Sequence, residues 1–168
     1  MCHDELRAGT RTDSGCKWAP TGYRPYTPVQ IGYKSLYLYL SLCPFTGQGY
    51  AAFLPKLNAK WFQWFVHQVD SCLDTKSLFI MDGAKAHKAH LQKVPNLVFQ
   101  KLPPYCPELN PAERLFKEIR RRLKNRVFSC LQQAQSRIQD ILETLFEDTD
   151  TIISLCCFPY IKNTSYQI

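Results

Sequence analysis

Four prolines fall within ten residues at 102–111, LPPYCPELNP, between one apolar run and an amphipathic one. Proline lacks an amide hydrogen, fixes its own φ and pushes the preceding residue away from the helical region, so neither a ladder nor a helix can run through this segment. One element must stop here and another must start. Ahead of the break, NLVFQKL (96–102) reads as a buried strand, and SLFIMD (77–82) as an earlier one that ends on a carboxylate. Behind it, NPAERLFKEIRRRLKNRV reads as a helix, with Ala112, Leu115, Phe116, Ile119 and Leu123 as its apolar stripe and basic residues around the rest. Strands fed into helices through short connectors build layered sheet-and-helix folds.

The upstream pattern agrees. YKSLYLYLSL (33–42) alternates as a strand does, PFTG (44–47) is a turn signal, and QGYAAFL can return antiparallel. Residues 58–73 put Trp61, Phe62, Phe65, Val66 and Val69 at helical spacing behind Asn58, a natural cap. Trp61, Trp64 and Phe65 are expected in the core rather than on a base-stacking platform. Residues 14–32, rich in Gly, Pro and aromatics, predict an irregular connector. GAKAHKAHLQK (83–93) predicts a short helix, LQQAQSRIQDILETLF a longer one, and 151–168 stays undecided. The expected fold is an α/β sheet of mixed direction in a single domain, a size that 168 residues can fill. No apolar run approaches the ~18 residues that span a bilayer, and the polar start has no leader-like stretch, which predicts a soluble, cytoplasmic protein.

The net charge of +7 is uneven: residues 101–126 carry eight basic side chains against three acidic ones. Such a run is either a solvated helix face or a surface for an anionic partner such as nucleic acid. The eight cysteines include no Cys-x-x-Cys pair, so the spacing of zinc ribbons and fingers is missing and reduced thiols are expected. His87 and His90, one helical turn apart, read as a partly buried helix face or as a metal pair.

Three acids stand at placements that chemistry uses. Asp82 ends a strand, where α/β sheets gather ligands, though an acid there also caps turns. Glu113 is three residues after Asn110 with Pro111 between, which is the capping-box arrangement; the same carboxylate could hold a divalent cation. Asp4 by itself reads as an exposed terminal acid.

Three motifs join them. LPPYCPELNPAE ahead of a basic helix, FIMDGAKAH at the end of an apolar strand, and an Asp-Glu pair in MCHDELRAG followed by WAPTGYRP occur in this order. In this the chain resembles the DDE-superfamily endonuclease domain of insertion-sequence transposases related to mariner, over about residues 2–126. Two positions depart from the pattern: Cys106 replaces the usual Ser, and Gly83 stands where many members have Asn.

The resemblance implies a ribonuclease H-like mixed sheet flanked by helices, with Asp4, Asp82 and Glu113 as catalytic residues. They would bind two divalent cations, Mg2+ or Mn2+, for DNA strand cleavage and strand transfer. His87 would lie at the edge of the site, and Glu5 would be a poorer ligand than Asp4. Arg114, Lys117, Arg120, Arg121, Arg122 and Lys124 follow Glu113 at once, which makes them candidates for contact with double-stranded DNA, both element ends and target. Lys17, Arg24 and Lys85 are weaker candidates. The implied division is 1–126 as catalytic domain and 127–168 as its helical extension, in a bacterial, nucleoid-associated protein. The resemblance favours a homodimer and an upstream helix-turn-helix segment. With only three residues ahead of Asp4, the first strand is expected to be truncated at its N-terminus, which leaves a catalytically silent DNA-binding relic as the alternative.

Overall fold

The computed structural model describes residues 1–84, 87 and 94–164. Five strands form one sheet: β1 (Cys2–Gly9), β2 (Ser35–Leu42), β3 (Gly49–Leu54), β4 (Ser77–Met81) and β5 (Leu97–Lys101), in the order β3-β2-β1-β4-β5. The β3-β2-β1 half is antiparallel and the β1-β4-β5 half is parallel, so the sheet is mixed, as expected. Among the described residues five α-helices accompany it: α1 (Ala59–Ser71), α2 (Ala112–Leu123), α3 (Leu131–Glu147), α4 (Thr149–Cys156) and α5 (Pro159–Thr164). None of the described helices is long and apolar enough to cross a membrane.

β2 is buried on both faces because helices cover both. On one face Leu6, Leu38, Leu40 and Leu42 meet Leu115, Phe116 and Ile119 of α2, Ile138, Ile141 and Leu145 of α3, and Ile152 of α4. On the other, Tyr39, Phe79, Met81 and Leu97 meet Phe62, Phe65, Val66 and Val69 of α1. At roughly 1.5–3 kcal/mol for each large apolar side chain buried, α1's stripe alone holds it firmly to the sheet. Asn58 caps α1 as predicted, its Oδ1 accepting from the Trp61 amide at 3.0 Å. Trp64 departs from expectation: it is 43% exposed and lies off the core.

β1 occupies the centre of the sheet and pairs along its whole length with β2, from Cys2–Leu42 to Gly9–Ser35. Its pairing with β4 is confined to Cys2–Ile80, beside hydrogen bonds from the Met1 amino group to Leu78 O (2.6 Å) and from the Ile80 amide to Met1 O (2.8 Å). Counting two residues on in both strands brings Asp4 level with Asp82, just past the last pair. Beyond that point the two parallel strands part, which is where open α/β sheets form a crevice.

Two local expectations need correcting. The proline segment is not wholly irregular, because Pro107–Leu109 form a 3-10 turn. The capping box is also absent. The Asn110 amide donates to Pro107 O (3.0 Å), so it is not open to Glu113, and the carboxylate of Glu113 turns instead toward Arg120. The short helix expected over 83–93, with Lys85 and His90, lies outside the described residues except at its first two positions and His87. Residues 149–164, undecided from sequence, form α4 and α5.

Candidate active site

Alternation along β1 sends neighbouring side chains to opposite faces. Asp4 shares its face with Leu6, which packs against α2; His3 and Glu5 point to the α1 side, where the His3 ring lies against Phe62, Phe65 and Phe79 at centroid distances of 5.2–5.4 Å. One strand thus feeds two polar clusters, and Asp82 at the end of β4 stands between them.

On the α2 face Asp4 meets Asn110 and feels the charge of Glu113. Asp4 Oδ1 accepts from the Glu5 amide (2.8 Å) and its Oδ2 from Asn110 Nδ2 (3.3 Å). Burial lifts the Asp4 carboxyl to about 7; the Glu5 amide works the other way, while the charges of Glu113, Glu5 and Asp82 add to the rise. A half-buried acid surrounded by acids is held protonated, or neutralised by a cation. Glu113 stands in the first turn of α2, partly exposed, with Oε2 3.8 Å from Arg120 Nη1. Asp82 is 55% exposed, and its Oδ1 accepts from the Ala84 amide at 2.9 Å. Asp82 and Glu113 therefore both stand within electrostatic reach of Asp4, and the donor set of the three is all carboxylate oxygen, the set that hard divalent cations prefer.

Asn110 carries a role that local reading of the motif misses. Buried to 3% exposure, it donates from Nδ2 to His3 O (3.0 Å) as well as to Asp4, while its Oδ1 accepts from the Ala112 amide (3.2 Å). One side chain thereby ties the start of α2 to β1 and fixes the carboxylate of Asp4. Asn110→Ala would remove a helix cap and leave a buried carbonyl unpaired, which together should cost about 2–3 kcal/mol, read as a lower midpoint in urea unfolding.

On the α1 face Glu5 Oε1 lies 3.1 Å from His3 Nε2 and 2.9 Å from His87 Nε2. His3 Nδ1 donates to Leu40 O (2.8 Å), and His87 Nδ1 sits 2.8 Å from Asp82 Oδ1 and 3.2 Å from Asp82 O. Burial raises the Glu5 carboxyl, but the bonds from His3 and His87 more than reverse it, to about 2. For His87 burial opposes the charged ring; Glu5, and then Asp82, outweigh it and hold the ring above its ordinary value. Three ligand atoms of His3, Glu5 and His87 lie within 4.8 Å of one another, a second place where a metal could bind. His87 thus lies between Glu5 and Asp82, and the part Glu5 plays is legible only once both faces of β1 are seen.

The basic helix divides. Arg121 and Arg122 both bond Glu118 at 2.7 Å, which holds that acid at about 2. Arg114 lies over the Phe158 ring at 4.9 Å. Lys117 and Lys124 are exposed and have no carboxylate within ion-pair distance among the described residues. Arg120 opens onto a groove of about 750 Å3 that also takes in Arg7, Arg11, Lys34 and Arg126, with Asp13 as its acid. Lys17 and Arg24 are exposed on the connector between β1 and β2. Arg7, Arg11 and Lys34 lie outside the 101–126 run that holds Arg120 and Arg126, so only the folded chain brings the five together.

A family model described as DDE superfamily endonuclease matches residues 1–135. An uncharacterized protein of Sinorhizobium fredii (strain NBRC 101917 / NGR234), y4pE/y4sA, is 28% identical over 130 residues, which are 75% of this chain and 83% of that protein. Among solved structures, the Mos1 mariner paired end complex with Mn matches with a TM-score of 0.66 at 16% identity, over 90% of this chain and 52% of that one. The Mos1 paired-end complex with left transposon end gives 0.63 at 15% identity, over 90% and 53%. The catalytic domain of Mos1 mariner transposase gives 0.53 at 16% identity, over 72% of this chain and 74% of that one. The chain spans about half the length of the Mos1 chains in the two complexes. The shared fold is the ribonuclease H-like one.

Proposed function

The chain belongs to the DDE superfamily endonuclease family, and we propose that in it Asp4, Asp82 and Glu113 hold divalent cations and cut DNA strands, as the catalytic domain of a transposase. The observation that carries this reading is the placement of Asp4 on the central strand within electrostatic reach of Glu113 at the start of α2 and Asp82 at the end of β4. Acids arranged to repel one another cost stability unless a cation joins them, and all-oxygen ligands select Mg2+ or Mn2+. The Mos1 mariner paired end complexes with Mn and with Mg support that choice. Two such ions would activate the attacking water or 3′-hydroxyl and neutralise charge at the leaving oxygen, serving strand cleavage and then strand transfer. The residues themselves do the placing: Asn110 orients Asp4, the Ala84 amide orients Asp82, and the first turn of α2 presents Glu113.

DNA is the substrate in this reading, as element ends and as target. Arg114, Lys117, Arg120, Arg121, Arg122 and Lys124 are assigned to its phosphates, together with the groove lined by Arg7, Arg11, Lys34 and Arg126. Phosphate contacts position a duplex without reading it, and their strength depends on salt. Lys117→Gln with Lys124→Gln should lower the slope of log affinity against log salt by about 2, while Arg121→Gln, whose charge is already met by Glu118, should lower it by less than 1. Fluorescence anisotropy of a labelled duplex over a salt series measures both. Residues 127–168 are read as part of the same catalytic domain, supported by the side chains of α3 and α4 in the core with β1 and β2. Sequence-specific recognition of element ends is assigned to a helix-turn-helix segment, and synapsis of two ends to a second copy of the chain.

Nicking of supercoiled plasmid tests the reading. Cleavage should need Mg2+ or Mn2+ and stop with EDTA; a chain that binds duplex but never nicks it with either ion would be the silent relic instead.

A further inference from the structure

We infer that His87 and Glu5 are positioning residues for Asp82, an inference that rests on the carboxylate site proposed above. Asp82 stands past the end of β4 and is 55% exposed, so nothing in its own packing selects one rotamer. Two groups do. The Ala84 amide donates to Oδ1 at 2.9 Å, and His87 Nδ1, which hydrogen-bonds the Asp82 carbonyl oxygen at 3.2 Å, lies 2.8 Å from Oδ1 at ion-pair distance, which leaves the second oxygen available to a cation.

His87 can give that bond only if its ring is itself fixed. Its side chain is 1% exposed, its ring centroid lies 4.4 Å from that of Phe62, and Nε2 is 2.9 Å from Glu5 Oε1. The Asp82 carbonyl and carboxylate oxygens facing Nδ1 only accept, so that nitrogen carries hydrogen. Nε2 faces the Glu5 carboxylate and donates as well. Glu5, 6% exposed, is steadied in turn by His3 Nε2 at 3.1 Å, and His3 is anchored by Leu40 O. The result is a chain of contacts from the centre of the sheet to Asp82. Apolar side chains would fill the same space with less desolvation cost, so the polar chain is better explained by the fixed donor it delivers than by stability.

Space-filling and positioning predict different outcomes, which makes the inference testable. A ring that only filled space beside Asp82 could be removed without weakening Mn2+ binding. If the ring positions Asp82, its removal should weaken binding, by about tenfold or more as for other groups that orient metal ligands. Calorimetric titration of the full chain with MnCl2, alongside thermal melting, reads both outcomes. His87→Ala should weaken Mn2+ binding. His87→Asn, whose amide nitrogen takes the place of Nδ1, should recover part of the loss. His87→Gln reaches toward Glu5 in the manner of Nε2 but offers nothing to Asp82; it should recover thermal stability and leave Mn2+ weak.

Equal recovery by Asn and Gln, or tighter binding in His87→Ala, would overturn the positioning role. Should His87→Ala fail to fold, the Asn and Gln pair still decides. Asp82→Asn separates the two levels. If it binds Mn2+ as the wild type does, the carboxylate site itself is wrong; if it loses Mn2+ while His87→Ala keeps it, only the positioning role falls.

Discussion

Replacing Glu113 with Gln should lower metal-dependent strand cleavage at least a thousandfold, about 4 kcal/mol of transition-state stabilisation, and leave folding and duplex binding near wild type. The separation is clean because of what Glu113 does not do. It takes no part in capping α2; that task falls to Asn110 Oδ1 on the Ala112 amide. Its one ion pair among the described residues, to Arg120 at 3.8 Å and partly exposed, is of the kind that contributes little to stability. Gln keeps the size of the side chain and loses only the anionic ligand. Urea unfolding, anisotropy and plasmid nicking on the same preparation check all three parts. Cleavage that survives the substitution would remove Glu113 from the site.

Asp4→Asn should abolish cleavage to a similar extent and yet make the metal-free protein more stable at neutral pH. Burial, with neighbouring acids adding to it, raises the carboxyl from an ordinary 3.8 to about 7 in the folded chain. A group raised on folding contributes stability that is present below the unfolded value and lost as pH climbs through the folded one. Without metal, the wild type should therefore lose stability between about pH 4 and pH 7, and Asp4→Asn should not. At pH 8 the variant should melt about 5 °C higher or more, and at pH 4 the two should coincide. Saturating Mn2+ should close the gap at pH 8 by stabilising the wild type alone. One cost runs the other way: Asp4 accepts from the Glu5 amide at 2.8 Å and from Asn110 Nδ2 at 3.3 Å, and an amide has a single oxygen to offer the two donors. Scanning calorimetry at the two pH values, with and without Mn2+, measures the pattern, and an unchanged melting point at pH 8 would contradict it.

Much of the fold is legible because the informative patterns are local. The β2–β3 hairpin, α1, β4, β5, α2 and α3 each carry their own periodicity, turn or cap within a dozen or so residues. β1 does not. CHDELRAG is polar in half its positions, and its centrality comes from partners 26 to 40 residues away in β2 and nearly eighty away in β4. Only the resemblance put Asp4 on a central strand. Non-local contacts also explain the capping error. Asn110 and Glu113 have the spacing of a capping box, but the Asn110 amide is engaged by the 3-10 turn before it, and its side chain reaches across to β1.

The site shows the same division. The order of the three motifs makes Asp4, Asp82 and Glu113 readable as candidates. Glu5 is harder to place, because it adjoins Asp4 in sequence yet faces the opposite side of the sheet, where His3 and His87 close around it. Strand alternation could have separated the two acids, had β1 itself been recognisable as a strand. Trp64 fails for a simpler reason: it has the size of a core residue and sits on the exposed flank of α1.

Two clusters could compete for a divalent ion: the all-carboxylate group of Asp4, Asp82 and Glu113, and the buried His3–Glu5–His87 group. Anomalous scattering from crystals of the chain soaked in MnCl2 distinguishes them directly. The predicted result is manganese within bonding distance of oxygens from Asp4, Asp82 and Glu113, with the three buried side chains still joined to one another by hydrogen bonds. Manganese seated between His3, Glu5 and His87, or none between the three acids at saturating concentration, would contradict the proposed active site.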